Sequence, residues 1–168
     1  MKKINEIFYS LQGEGFYVGT PAVFVRFSGC NLKCDFCDTR HEKGTFLSDE
    51  EIVEEVCRYP CRMVILTGGE PGLWIDEPLI EALHRAGKYV CVETNGTCVL
   101  PSSVDWVTCS PKKSGSLHVA RIDEVKVVFV GQDVEPYLQL KASAYFLQPC
   151  SGKNTTEVVE YIKQHPVS

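Results

Sequence analysis

Residues 62–96 read RMVILTGGEPGLWIDEPLIEALHRAGKYVCVETNG, and this stretch decides the fold. Arg62–Thr67 reads as a buried strand, Asp76–Ala86 as a helix ended by Gly87, and Tyr89–Glu93 as a second strand. Strand, helix and strand in succession imply a parallel βα unit. The alternation extends in both directions. Ile4–Leu11, Ala22–Ser28, Val104–Cys109, Glu124–Val130 and Ala144–Leu147 read as further strands. Ser48 opens a capping-box pattern with Glu51, so a helix is expected to run to about Arg58, stopped by Pro60. Asn154–Gln164 reads as a last helix with Asn154 at its cap and Pro166 beyond its end.

Unusual tetrapeptides recur just after the strands. They are Gln12-Gly13-Glu14-Gly15, Ser28-Gly29-Cys30, Gly68-Gly69-Glu70-Pro71, Glu93-Thr94-Asn95-Gly96, Ser110-Pro111-Lys112 and Gln148-Pro149-Cys150. Loops at the C-terminal ends of parallel strands build the site in α/β barrels. The expectation is one composite site on one rim of an α/β fold. An open doubly wound sheet would gather such loops mainly at its switch point.

The 168 residues suit one domain, 1–168, with no repeat, low-complexity tract or long linker. A chain of this size buries roughly 70% of its unfolded surface and needs no disulfide staples. The formal net charge of −5, with no Lys/Arg block, argues against a nucleic-acid surface. No run of apolar residues is long enough to span a membrane. The start, Met1-Lys2-Lys3-Ile4-Asn5-Glu6, lacks the apolar core of a signal peptide, so a cytoplasmic location is expected. In a reducing compartment the nine cysteines read as metal ligands or catalytic groups where they cluster.

They cluster once, as Cys30-x-x-x-Cys34-x-x-Cys37. Thiolates suit iron–sulfur clusters, and an ordinary cluster takes four of them. Three ligands leave a fourth position open, which a catalytic metal needs. The competing reading is a structural zinc knuckle completed by His41 or a distant cysteine. Cys57, Cys61, Cys91, Cys98, Cys109 and Cys150 read as small apolar packing groups. His84, His118 and His165 belong to no motif.

The three-cysteine spacing, with Phe36 before the last cysteine, resembles the signature of the radical S-adenosylmethionine superfamily. Gly68-Gly69-Glu70-Pro71 resembles that superfamily's second motif. The resemblance implies that Cys30, Cys34 and Cys37 hold a 4Fe–4S cluster. It also implies that the cluster cleaves S-adenosylmethionine to methionine and a deoxyadenosyl radical. Residues 6–15 and 19–26 narrow the likeness to the 7-carboxy-7-deazaguanine synthase family. So do Cys37-Asp38-Thr39, Thr67-Gly68-Gly69-Glu70-Pro71, Glu93-Thr94-Asn95-Gly96, Ser110-Pro111-Lys112 and Leu147-Gln148-Pro149.

That family implies a shortened, incomplete β/α barrel with few helices. The implied reaction is a lyase step of 7-deazapurine (queuosine) biosynthesis. It contracts 6-carboxy-5,6,7,8-tetrahydropterin to 7-carboxy-7-deazaguanine with loss of ammonia. The family pattern assigns Phe36, Cys37, Asp38, Gly69, Glu70, Ser110, Pro111, Lys112, Gln148 and Cys150 to S-adenosylmethionine. It assigns Leu11, Gln12, Gly13, Glu14, Arg26 and Thr67 to the substrate, and Thr39 to magnesium. Some of these residues also have a plainer reading. Gln12–Gly15 suits an ordinary turn, Glu70 a helix N-terminus, and Thr39 a cap. Arg26, a cation in an apolar strand, would pair with a substrate carboxylate or an acidic side chain. Implied partners are the pterin and an electron donor such as a flavodoxin or ferredoxin, with dimers common among relatives. A glycyl-radical-enzyme activase shares the cysteine spacing and is the alternative. The family usually continues with a segment resembling Trp-Arg-Leu-Ser-x-Gln-Thr-His-Lys, which this sequence, ending at Ser168, does not contain. A less completely closed substrate site is therefore expected.

Overall fold

The computed structural model describes residues 1–113 and 115–166, which leaves Ser114, Val167 and Ser168 outside the description. The strands are β1 (Lys2–Leu11), β2 (Pro21–Phe27), β3 (Thr45–Leu47), β4 (Met63–Gly68), β5 (Tyr89–Thr94), β6 (Trp106–Cys109), β7 (Glu124–Phe129) and β8 (Ala144–Pro149). They form one open sheet in the order β3-β1-β2-β4-β5-β6-β7-β8. From β2 to β8 every pairing is parallel, and the sheet does not close. The helices are α1 (Asp49–Cys57), α2 (Glu77–Arg85), the single turn α3 (Glu135–Leu138) and α4 (Thr155–Gln164). This is the incomplete barrel with few helices that the resemblance implied.

Period-two alternation gives the parallel strands two faces. Val23, Val25, Phe27, Val64, Leu66, Val90 and Val92 pack outward, against Ile52 and Val56 of α1 and Leu79, Ile80 and Leu83 of α2. Ala22, Phe24, Met63, Ile65 and Cys91 point inward at the N-terminal ends of their strands. One turn higher on that inner face stand Arg26, Thr67, Glu93, Lys126 and Gln148. The lower layer is apolar except for buried Glu124, which accepts from Phe16 N and Trp106 Nε1, and the upper one is polar.

The capping box forms as expected, with Ser48 and Glu51 exchanging both bonds at α1. Asp76 caps α2 by accepting from Leu79 N at 3.2 Å. Lys2, 5% exposed, joins the two helix starts through Asp49 (2.6 Å) and Asp76 (3.1 Å). Two elements were not legible. β3 is too short to show a period, and α3 is one turn. β6, read from Val104, begins two residues later, and the Asp105 carboxylate just before it accepts from Val90 N (2.7 Å) and pairs with His84 (2.9 Å).

The single-rim expectation needs correcting. β1 runs antiparallel to β2, and Leu11 pairs with Pro21. The loop after β1 therefore emerges beside the N-terminal ends of the parallel strands, opposite the other special loops. Gln12 N and O bond to Thr20 O and Gly19 N, which shuts the loop at its neck. Phe16 stacks on Trp106 and Tyr17 meets it edge-on, with centroids 4.9 and 5.1 Å away. The loop thus plugs the barrel from below.

Leu83 is fully buried under α2. Leu83→Ala is expected to cost about 2–5 kcal/mol in denaturant unfolding. Ser48→Ala, which removes only a cap, should cost about 0.5–2 kcal/mol.

Candidate active site

The upper, C-terminal end of the barrel opens into a cavity of about 380 Å³. Cys30, Cys34 and Cys37 all lie on its wall, together with Phe36, Asp38 and Thr39 of the same loop. The two motif loops are bonded to each other through the backbone. Gly69 N donates to Phe27 O at 3.1 Å and Glu70 N to Gly29 O at 2.9 Å. The Trp74 indole adds a bond to Ser28 O at 2.7 Å. Gly68 holds φ +136°, and a side chain on Gly69 would strike Gly29 O, so only glycines allow this approach.

Glu70 lies below the cavity and is fully buried. Its Oε1 accepts from Gly72 N (2.8 Å) and Thr94 Oγ1 (2.7 Å), and its Oε2 from Asn95 N (2.8 Å). Burial pushes its carboxyl up, and those donors oppose the push. All its visible work is to tie the Gly68–Pro71 loop to the loop after β5. This matches the plainer helix-terminus reading of Glu70.

Ser110, Lys112, Gln148 and Cys150 line the far wall, while Pro111 is buried behind it. Lys112 bonds Ser110 Oγ at 2.5 Å, and its ammonium sits 5.8 Å from the Phe36 ring centroid. Burial holds the Lys112 ammonium below its usual range, and the neighbouring Cys34 partly offsets this. Burial raises the Cys34 thiol, and the Lys112 charge pulls it back.

The cavity floor is ionic. Lys126, 7% exposed, contacts Glu93 at 2.9 Å and Glu14 at 3.0 Å. Thr67 donates to Glu93 Oε2 (3.0 Å), Gln12 to Glu93 Oε1 (3.0 Å), and Gln148 to Glu14 Oε1 (3.1 Å). Burial alone would raise the Glu93 carboxyl, but Lys126 and the two donors Gln12 and Thr67 hold it below the usual carboxylate range. Burial likewise disfavours the Lys126 ammonium, yet Glu93 and Glu14 raise it.

Not every expected substrate residue reaches the cavity. Glu14 and Thr67 do. Gln12 stands behind Glu93 as its support, and Leu11 and Gly13 are exposed on the hairpin. Arg26 makes an ion pair with Glu6 at 2.7 Å, the acidic-side-chain partner of the plainer reading. Glu93 and Lys126 were missed as site residues. Lys126 carried the same signal as Arg26, a cation in an apolar strand, and Glu93 opened a flagged tetrapeptide.

Cys91 and Cys109 are buried, and burial pushes both thiols up to about 12, which leaves them inert. Among the described residues no three His, Cys, Asp or Glu side chains converge on a single-ion site. N–H donors face Cys30 Sγ, from Leu32 N at 3.5 Å and Asn95 Nδ2 at 3.9 Å, as suits a thiolate.

A parallel half-barrel with a three-cysteine loop on its C-terminal rim defines a radical S-adenosylmethionine protein, and the Radical SAM superfamily profile matches residues 24–110. A 7-carboxy-7-deazaguanine synthase of Bacteroides thetaiotaomicron is 64% identical over 99% of this chain and 91% of its own. One of Burkholderia multivorans is 38% identical over 97% and 91%. The crystal structure of QueE from Escherichia coli superposes with a TM-score of 0.81 at 30% identity, covering 97% of this chain and 90% of that one. The chain belongs to the 7-carboxy-7-deazaguanine synthase family, and its cofactors are a 4Fe–4S cluster and S-adenosylmethionine.

Lys126→Met should reverse the acid limb of stability. In the parent chain the lowered Glu93 value means stability present above about pH 4.3, the ordinary carboxyl value, and lost as pH falls through the folded value. In the variant only the Gln12 and Thr67 hydrogen bonds still oppose burial, the largest influence, and the Glu93 value is expected to rise above the unfolded one. Stability then falls as pH climbs past about 4.3. Denaturant midpoints measured from acid to neutral pH read the sign.

Proposed function

We propose that this chain converts 6-carboxy-5,6,7,8-tetrahydropterin to 7-carboxy-7-deazaguanine with loss of ammonia, a step toward 7-deazapurines such as queuosine. The observation that carries this reading is one cavity with three thiols on its wall and an ionic, hydrogen-bonding floor. Cys30, Cys34 and Cys37 hold the cluster. Gly69, Asp38, Phe36, Ser110, Lys112, Gln148 and Cys150 surround S-adenosylmethionine, and Glu70 braces the loop that carries Gly69. Cluster and S-adenosylmethionine together supply, when bound, the one-electron chemistry that opens the reaction.

The chain's own residues do the rest. Lys126 keeps Glu93 ionised and pairs with Glu14, so carboxylate oxygens meet the N–H donors of a pterin edge. Thr67 and Gln12 fix the Glu93 rotamer, and Gln148 fixes Glu14. Arg26 takes the substrate carboxylate by exchanging the exposed Glu6 for it. Phe36, Leu32 and Val128 supply apolar wall that keeps water from the reacting atoms. Thr39 hydroxyl lies 3.4 Å from Asp38 Oδ1, an oxygen pair of the hard kind magnesium prefers. A flavodoxin or ferredoxin in the reducing cytosol delivers the electron. All of this rests on one domain. An activase acting on a protein partner is not favoured, since the named relatives are synthases and the floor suits a small polar ring.

The test is anaerobic reconstitution followed by reductant, S-adenosylmethionine, magnesium and carboxytetrahydropterin, with the product read by mass. Formation of the deazaguanine acid is expected. Arg26→Met should raise KM about 10- to 100-fold, as expected for loss of a charge-assisted contact. A cluster-loaded protein that turns over no pterin, or that places a radical on a partner protein, would contradict the proposal.

A further inference from the structure

The Glu93-Thr94-Asn95-Gly96 segment contains a side chain with no role so far. Asn95 is buried, 7% exposed, and stands on the cavity wall beside Cys30. Its amide is locked by a closed ring of three side chains. Asn95 Oδ1 accepts from Thr97 N (2.9 Å) and Thr97 Oγ1 (2.6 Å). Thr97 Oγ1 accepts in turn from Asn31 Nδ2 (2.7 Å), and Asn95 Nδ2 donates to Asn31 Oδ1 (3.1 Å). With the oxygen edge fixed on two donors, the NH₂ must face the cysteine loop. One of its hydrogens serves Asn31, and the other is directed at Cys30 Sγ, 3.9 Å away.

We infer that Asn95 is a positioning residue for the iron–sulfur centre. Its amide N–H donates to the Cys30 thiolate and raises the cluster's reduction potential. This rests on the reading of Cys30, Cys34 and Cys37 as cluster ligands. The physical basis is direct. Reduction adds negative charge to the cluster, and an N–H aimed at a ligand sulfur stabilises that charge. Cys30 is distinct among the three in this respect. The structure puts the Leu32 N–H and the Asn95 amide against Cys30 Sγ, whereas Cys37 Sγ faces a carbonyl, Thr39 O, at 3.7 Å. The ring has a second consequence. Glu70 holds the backbone N of Asn95, so the loop after β4 sets where this donor stands.

The experiment uses the reconstituted full chain without S-adenosylmethionine or substrate, so that the potential is read on the cluster alone. Asn95→Leu keeps the branched shape and removes both edges of the amide. Asn95→Ser is a smaller change, and Thr97→Val leaves the amide but unlocks it. Iron and sulfide content and far-UV circular dichroism check loading and fold. The expected result is parent-like loading with a more negative midpoint for Asn95→Leu and Asn95→Ser. A tenfold loss in reducibility reads as 59 mV for a one-electron couple. A smaller shift in the same direction is expected for Thr97→Val. Loaded variants with the parent's midpoint overturn the inference. So does failure of all three to assemble a cluster, because a donor that only tunes is not needed for assembly. If the parent itself takes up no iron and sulfide, the cluster reading fails and not merely this inference.

Discussion

The ion pair between Lys126 and Glu93, shared with Glu14, is the constraint on which the site depends. Lys126 lies in the middle of a strand whose neighbours on the other face are core valines. Its ammonium is largely withdrawn from solvent, so it needs acids. One acid comes from the end of β5. The other comes from the hairpin loop that rises through the barrel from below. The buried charge therefore draws together strand, hairpin and cavity floor. The antiparallel β1 makes this geometry accessible, since it delivers the Gln12–Thr20 loop to the N-terminal ends of the parallel strands. The aromatic stack of Phe16, Tyr17 and Trp106 then holds that loop as a plug, with Glu14 at its inner tip.

A second buried carboxylate organises the other end. Glu70 gathers three donors from two loops and so fixes the distance between the Gly68–Pro71 turn and the turn after β5. The cysteine loop is bound to the same structure through Gly29 O, Phe27 O and the Asn31–Asn95–Thr97 ring. The thiols thus sit on a loop whose anchors are held by buried hydrogen bonds, while their own side chains face open space. That combination suits a site that has to accept a large cofactor without rebuilding its frame.

Much of this was legible before the structure. The β-branched runs of Arg62–Thr67 and Tyr89–Glu93, the Ser48 capping box and the Gly87 stop were read within a residue or two. Local chemistry sets them. The cysteine loop was legible because metal ligation demands its spacing. What could not be read depends on register and direction. Nothing local states that β1 runs antiparallel, so the Gln12–Gly15 loop was assigned to the wrong end. Glu93 and Lys126 lie far apart in sequence, and only strand order brings them into contact. Glu70 and Arg26 had two readings each because a charged side chain in an apolar setting announces a partner without naming it. The structure supplies one partner set for Glu70, within the chain. For Arg26 it supplies Glu6, an exposed acid that a substrate carboxylate can replace.

The central claim is that the open cavity beside Cys30, Cys34 and Cys37 is a cluster site with a free position for S-adenosylmethionine. Electron paramagnetic resonance of the reconstituted, reduced chain, recorded before and after adding S-adenosylmethionine, tests it most directly. The account predicts a reduced-cluster signal that changes in shape when the cofactor is added, and no such signal once Cys34 is replaced by alanine. A chain that takes up zinc in place of iron and sulfide would contradict it. So would a cluster signal indifferent to S-adenosylmethionine.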